Sequence, residues 1–145
     1  MARIQVMKEE EIGLDCPVVC QQCVERYCID ACPVGALSIG QLGAVVVDPE
    51  ICIGCGQCAN ACPIGAVHLF EGLPLICDLC GGSPRCVETC TMDALVFEAD
   101  QSEVVSLAGR ESGPGVDGEE RRLRYARERT ATQRAGMPRG EGEGA

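Results

Sequence analysis

The stretch CIGCGQCANACP, from Cys52 to Pro63, sets three thiols at three-residue spacing and a fourth four residues on, before a proline. This is the C-x2-C-x2-C-x3-C-P spacing by which thiolates hold a 4Fe-4S cluster. Three cysteines on one tight loop can cap three corners of a cubane. Where two clusters share a chain, the fourth cysteine ligates the other one. A second group must therefore lie elsewhere, and CQQCVERYCIDACP supplies it as Cys20, Cys23, Cys28 and Cys32. Its middle gap is longer, but its last cysteine is again followed by proline. Cross-ligation then predicts one cluster on Cys20, Cys23, Cys28 and Cys62, and a second on Cys52, Cys55, Cys58 and Cys32, with iron as the metal. Structural zinc fits less well, because four ligands per ion give no reason for a three-plus-one split.

A third group, CDLCGGSPRCVETC, carries Cys77, Cys80, Cys86 and Cys90, with Thr91 where the others have proline. These four could close on one 4Fe-4S cluster of their own, or on zinc as an all-thiolate site. The strand phase that this segment shares with the other two favours iron. Cys16 is left over; it could ligate the third cluster, but the favoured reading is a buried free thiol. Gly54 and Gly56 sit between ligands, where the backbone must curl around a cubane and turn amides toward sulfur, one of the ways a protein tunes potential. Gly35 and Gly65 follow the two Cys-Pro pairs, where a turn or simple loop flexibility accounts for them equally well. His68, the only histidine, is read as a surface strand residue without a role. Arg85 could donate to a cluster sulfur or face solvent.

The elements that must position these thiols follow from an internal repeat. Cys32 opens CPVGALSI, Cys62 opens CPIGAVHL and Cys90 opens CTMDALVF, at offsets of 30 and 28 residues. Each copy reads as a cysteine loop, a short helical turn ending at the fourth cysteine, and a brief apolar strand. Ala36 to Ile39 and Ala44 to Val47 flank GQLG, and Val67 to Phe70 and Leu73 to Ile76 flank Glu71-Gly72, both as hairpins. The expected fold is α+β: ferredoxin-like tandem repeats of short strands and helices over residues 1–100. Residues 101–145 read as a linker and charged tail, with GRESGPGVDG at 109–118 a linker by composition. Glu119 to Gln133 would be a solvated helix or part of a flexible tail, and GMPRGEGEGA is expected to be disordered.

Composition narrows the function classes. Thirteen cysteines in 145 residues is a density that belongs to disulfide scaffolds or metal sites. The N-terminal MARIQVMKEEEIGLD has no apolar signal core, and no run approaches the roughly 18 apolar residues of a membrane span. A reducing, cytoplasmic setting with metal-bound thiolates is expected. With two Tyr, two Phe and no Trp, the core must lean on inorganic staples, so the chain should be largely unfolded without its metal. Residues 1–100 hold fourteen Asp/Glu and four Lys/Arg, whereas residues 101–145 hold eight of each. An acidic body argues against nucleic acid as partner and suits docking on a basic surface of a redox protein.

Taken together, PVVCQQC, CIGCGQCANACPIGA and CDLCGGSPRCVETC resemble the polyferredoxin 4Fe-4S electron-transfer subunits of anaerobic redox complexes. The resemblance covers roughly residues 2–98 and leaves the tail outside. Family members serve tungsten aldehyde oxidoreductases, molybdenum enzymes of the dimethyl sulfoxide reductase type, formate-linked hydrogenases and carbon monoxide dehydrogenases. The resemblance implies a catalytic oxidoreductase subunit and a soluble electron carrier as partners, with no direct membrane insertion. Members usually carry four cysteine groups, the last pairing with an N-terminal C-x2-C-x2-C-x3-C group that is absent here. Cys77, Cys80 and Cys86 would thus lack their usual fourth ligand, and Cys90 the cluster that it normally serves. Either the chain start lies upstream of Met1, the favoured reading, or this is a three-group variant closed by Cys90 or Cys16.

The function expected from the sequence is an electron-transfer subunit with two 4Fe-4S clusters and a third on Cys77–Cys90. No nucleophile, base pair or nucleotide loop is visible, so no catalysis is expected from the chain by itself. A free-standing ferredoxin-type carrier is the alternative, and a zinc-stabilised interaction module the remote one.

Overall fold

In the computed structural model the described residues are 2–97, 105–112 and 115–136. Their strands come as three separate two-stranded antiparallel hairpins. The first, β1 (Gln5–Glu9) and β2 (Leu14–Val18), pairs Gln5 with Val18 and Glu9 with Leu14. A 3-10 turn over Glu10–Ile12 and Gly13, at φ 60°, reverses the chain. Along β2 the period-2 alternation is complete: Leu14, Cys16 and Val18 face inward, while Asp15 and Pro17 face out.

The other two hairpins lie where the sequence placed them. Strand β3 (Leu37–Ile39) pairs with β4 (Val45–Val47), and β5 (His68–Phe70) with β6 (Leu73–Leu75). Glu71 and Gly72 join β5 to β6 at φ 50° and 79°, the positive pair that tight two-residue hairpins require. Short helices α1 (Tyr27–Asp30), α2 (Gln57–Ala61) and α3 (Arg85–Glu88) each end one or two residues before a fourth cysteine. The third copy differs, because residues 91–97 form no strand and 98–104 lie outside the described residues.

The tail carries the largest departure from expectation. Helix α4 (Gly118–Gly136) packs against β2 and β1 instead of standing in solvent. Asp117 starts it, its carboxylate accepting from the Glu119 amide at 3.0 Å, and Glu119 and Glu120 suit the positive end of the helix dipole. Arg121, Tyr125 and Ala126 are buried, a narrow stripe at helical spacing on an otherwise polar helix. Arg127 clasps Glu9 of β1, its Nε donating at 2.8 Å. Arg110 and Arg129 lie over the Tyr125 ring at 5.3 and 5.9 Å. The segment expected to be disordered at the C-terminus lies outside the described residues from 137 onward.

One core joins these parts. Leu14, Val18, Val45 and Ile64 are the largest fully buried side chains, packed with Cys28, Cys58, Cys62, Leu37, Val67, Ile76, Leu107, Tyr125 and Ala126. Helices α1 and α2 touch through this core, which brings the two cysteine loops side by side. Cysteines supply much of its surface, so the apolar packing and the thiol sites are the same region.

Candidate iron–sulfur centres

The loop before α2 curls by means of glycine. Gly54 and Gly56 take φ 68° and 77°, and a Cβ on Gly54 would stand 2.7 Å from the Gly72 carbonyl oxygen. Only glycine lets this loop pass under the β5–β6 turn. The result is a cleft lined by Cys52, Cys55 and Cys58 together with Cys32, which arrives from the end of the other loop. Val34, Leu37, Ile53, Leu69 and Pro74 complete its wall. The Ala36 amide donates to Cys32 Sγ at 3.3 Å. Burial pushes the Cys32 thiol up, but the amides of Val34, Ala36, Leu37 and Gly35 outweigh it, and the thiol lies below its ordinary value.

A second cleft is lined by Cys20, Cys23 and Cys28 with Cys62, roofed by Tyr27, Ile64, Val67 and Leu107. Burial first, then the neighbouring Cys62, Cys28 and Cys77, push the Cys20 thiol up to about 12 against a hydrogen bond from the Gln22 backbone. Burial, with Cys62, Cys23 and Cys58, pushes Cys28 up to about 12 as well. Burial and the neighbouring thiols both disfavour the charged forms of Cys20 and Cys28. A cationic iron centre reverses that balance and takes them as thiolates, so the donor set fits a cluster. Among the described residues no three His, Cys, Asp or Glu side chains converge tightly enough for a single metal ion.

The structure thus brings together both cysteine quartets expected from the spacing. The third loop is only partly assembled. Burial pushes the Cys77 thiol up, opposed by the Leu79 amide and reinforced by Cys86, Asp78 and Cys80. Cys90 stands with its own turn, where the amides of Met92, Ala94 and Leu95 pull its thiol down. The Ala94 amide reaches Cys90 Sγ at 3.3 Å, repeating the Ala36–Cys32 bond. Cys16 lies buried in β2 and lines neither cleft. His68 is half-buried with Gln5 Nε2 at 3.2 Å from its Nε2, and Arg85 is exposed at the start of α3.

The first loop adjoins both of the others. Helices α1 and α2, which carry Cys28 and Cys58, pack against each other. Gln22, at φ 50°, ties the junction: its Nε2 donates to the Cys77 carbonyl at 2.7 Å, and its Oε1 accepts from the Val45 amide at 3.1 Å. The spacing of cysteines could not reveal this bridge. Nor could it show that Leu107, from beyond residue 100, lines the second cleft. The Val24 amide donates to the Val105 carbonyl, and Glu25 accepts from the Leu107 amide at 3.0 Å and from Ser106 Oγ. These contacts hold Leu107 in place.

Comparison with known proteins agrees with this geometry. Residues 45–68 match the 4Fe-4S binding domain family. The chain is 48% identical over 81 residues to the polyferredoxin-like subunit of an aliphatic sulfonate oxidoreductase from Pyrococcus furiosus, covering 54% of this chain and 47% of that protein. It is 41% identical over 106 residues to an uncharacterized ferredoxin of Methanocaldococcus jannaschii, covering 72% and 61%. To a subunit of the anaerobic dimethyl sulfoxide reductase of Escherichia coli it is 41% identical over 88 residues, covering 55% and 43%. The chain therefore spans about half the length of the curated relatives that it matches. Fold and thiol clefts are compatible with the 4Fe-4S binding domain matched over residues 45–68. More narrowly, this chain is a relative of the iron–sulfur electron-transfer subunits of oxidoreductases, as the sequence resemblance implied.

Proposed function

We propose that this chain relays single electrons between a catalytic oxidoreductase subunit and a one-electron carrier, and that it performs no substrate chemistry itself. The observation that carries the proposal is the pair of thiol rings, each built from three cysteines of one loop and the fourth of the other. When bound, a 4Fe-4S cluster accepts and returns one electron without making or breaking a covalent bond to substrate. Cys20, Cys23, Cys28 and Cys62 would hold one cluster, and Cys52, Cys55, Cys58 and Cys32 another. Cys77, Cys80 and Cys86 would offer three ligands to a third. Cys90, whose turn copies that of Cys32, would then serve a cluster other than that of its own loop.

The chain's own residues define the route. Gln22 of the first loop reaches the Cys77 carbonyl, and helices α1 and α2 pack together, so the first loop adjoins both of the others. Buried Leu107 and Ile64 line the Cys20 ring with apolar surface. Cys55 and Ile53 are exposed, leaving the edge of the Cys52 ring open to a partner. The acidic body, fourteen Asp/Glu against four Lys/Arg over residues 1–100, favours a basic docking surface. No helix among the described residues is long and apolar enough to cross a membrane. All thirteen cysteines are free thiols, which supports a reducing, cytoplasmic setting as part of this proposal.

Iron and acid-labile sulfide assays on anaerobically reconstituted protein test the reading. About eight irons or more per chain are expected, the two-cubane count implied by paired ligation. Fewer than that, or a colourless protein with stoichiometric zinc, would overturn it. Co-purification with a large metalloenzyme subunit supports the relay, whereas a monomer that is redox-active alone would leave a free-standing carrier.

A further inference from the structure

The tail helix does more than cover the body. Arg121 is 3% exposed, the one buried charged side chain among the described residues. Its Nη1 donates to the Asn60 carbonyl at 2.8 Å and to the Cys62 carbonyl at 2.5 Å. Its neighbour Arg122 donates to the Gly65 carbonyl at 2.9 Å. The Nε atoms of both are buried without a hydrogen-bond partner. Neither guanidinium is in an ion pair with a carboxylate among the described residues; their contacts are backbone carbonyls of residues 60–65. A guanidinium stays charged at any working pH. An unneutralised cation kept out of water is expensive, and three carbonyl dipoles repay only part of that cost.

We propose that Arg121, supported by Arg122, sets the reduction potential of the centre held by Cys20, Cys23, Cys28 and Cys62, raising it by fixed positive charge at the Cys62 segment. The inference rests on the ligand assignment under Proposed function. Reduction adds one negative charge to a cluster, and net charge and burial set its potential. A cation fixed in a region of low dielectric favours the more negative, reduced state. Arg121 touches the backbone of a ligand rather than the reacting atoms, so it is a positioning residue acting through charge.

The test is anaerobic redox titration of the full reconstituted chain, followed by electron paramagnetic resonance. In Arg121→Gln, with unchanged iron content and circular dichroism, the midpoint of one centre should fall by about 59 mV, a tenfold change in a one-electron equilibrium, while the others stay. Arg121→Lys keeps the charge and should return most of the shift. Arg122→Gln should lower the same midpoint by less, and it decides the matter if Arg121→Gln fails to fold. Midpoints unchanged in the Gln variants at full iron content would overturn this inference and leave the relay intact. Equal shifts in all centres would also overturn it, by showing general loosening. Iron below the two-cluster count in the wild-type chain would instead sink the ligand assignment.

Discussion

Replacing Tyr125 with alanine should release the tail helix from the body. The side chain is 5% exposed and sits between Arg110 and Arg129. A buried aromatic of this kind removes on the order of 150–250 Å² from water. At about 25 cal/mol per Å² that is an upper bound of roughly 4–6 kcal/mol. Discounting for a compact denatured chain leaves about 3 kcal/mol, the low end of measured aromatic-to-alanine losses. The remaining polar anchors of α4 are Arg127 on Glu9, Arg110 on Glu128 at 2.6 Å, Arg124 on Glu111 at 3.2 Å, and the two arginines on residues 60–65. The exposed ion pairs contribute at most about 1 kcal/mol each. A helix of 19 residues with little apolar surface is marginal once undocked. Trypsin offers a direct assay, since α4 carries Arg121, Arg122, Arg124, Arg127, Arg129 and Arg134. A loss of about 3 kcal/mol raises the open population about a hundredfold, and cleavage in α4 should accelerate accordingly while opening remains fast relative to cleavage. Equal cleavage rates, with equal amide-exchange protection over 118–130, would refute the docking argument.

Other outcomes follow from the same geometry. Cys32→Ser should damage the centre of Cys52, Cys55 and Cys58, although Cys32 belongs to the other loop; loss of signal from the Cys20 centre instead would contradict cross-ligation. Gly54→Ala and Gly72→Ala share the cost of a positive φ, about 1–2 kcal/mol, but only the former drives a Cβ to within 2.7 Å of a backbone oxygen. Iron release to a chelator should therefore quicken at least tenfold more in Gly54→Ala, and equal rates would refute the close approach. For pH, the hydrogen bond from Arg127 holds the Glu9 carboxyl below its ordinary value of 4.5, against some burial, with added attraction from the Arg127 charge. A depressed folded pKa means that the contribution is complete above 4.5 and is lost as pH falls through the lower folded value. Exchange protection of α4, taken as the difference between wild type and Glu9→Gln, should be flat from pH 7 to about 5 and shrink below that; a difference that grows on acidification would reverse the assigned sign.

Much of the site was legible before any tertiary structure. The cysteine spacings pointed to the cluster type and the crossed pairing, because ligand geometry on a short loop is a local property. The hairpins around GQLG and Glu71-Gly72 were legible for the same reason, through turn residues between apolar triplets. The β1–β2 hairpin was missed, although Leu14, Asp15, Cys16, Pro17 and Val18 alternate, because the charged Glu9–Glu11 turn and Pro17 obscured the pattern. A proline is tolerated there because it faces outward on a hairpin edge.

What the sequence by itself determined is the chemistry on offer: thiols, their number and their spacing along three loops. What only the tertiary structure decided is where residues beyond 100 go. Helix α4 has a polar sequence with four buried or half-buried anchors, Arg121, Arg122, Tyr125 and Ala126, so hydropathy cannot register it as a packed element. Its partners are backbone carbonyls of residues 60–65 and a glutamate over a hundred residues away. A carbonyl exists at every position and carries no sequence signature. The charge placed beside Cys62 therefore becomes visible only when the chain has folded back on itself.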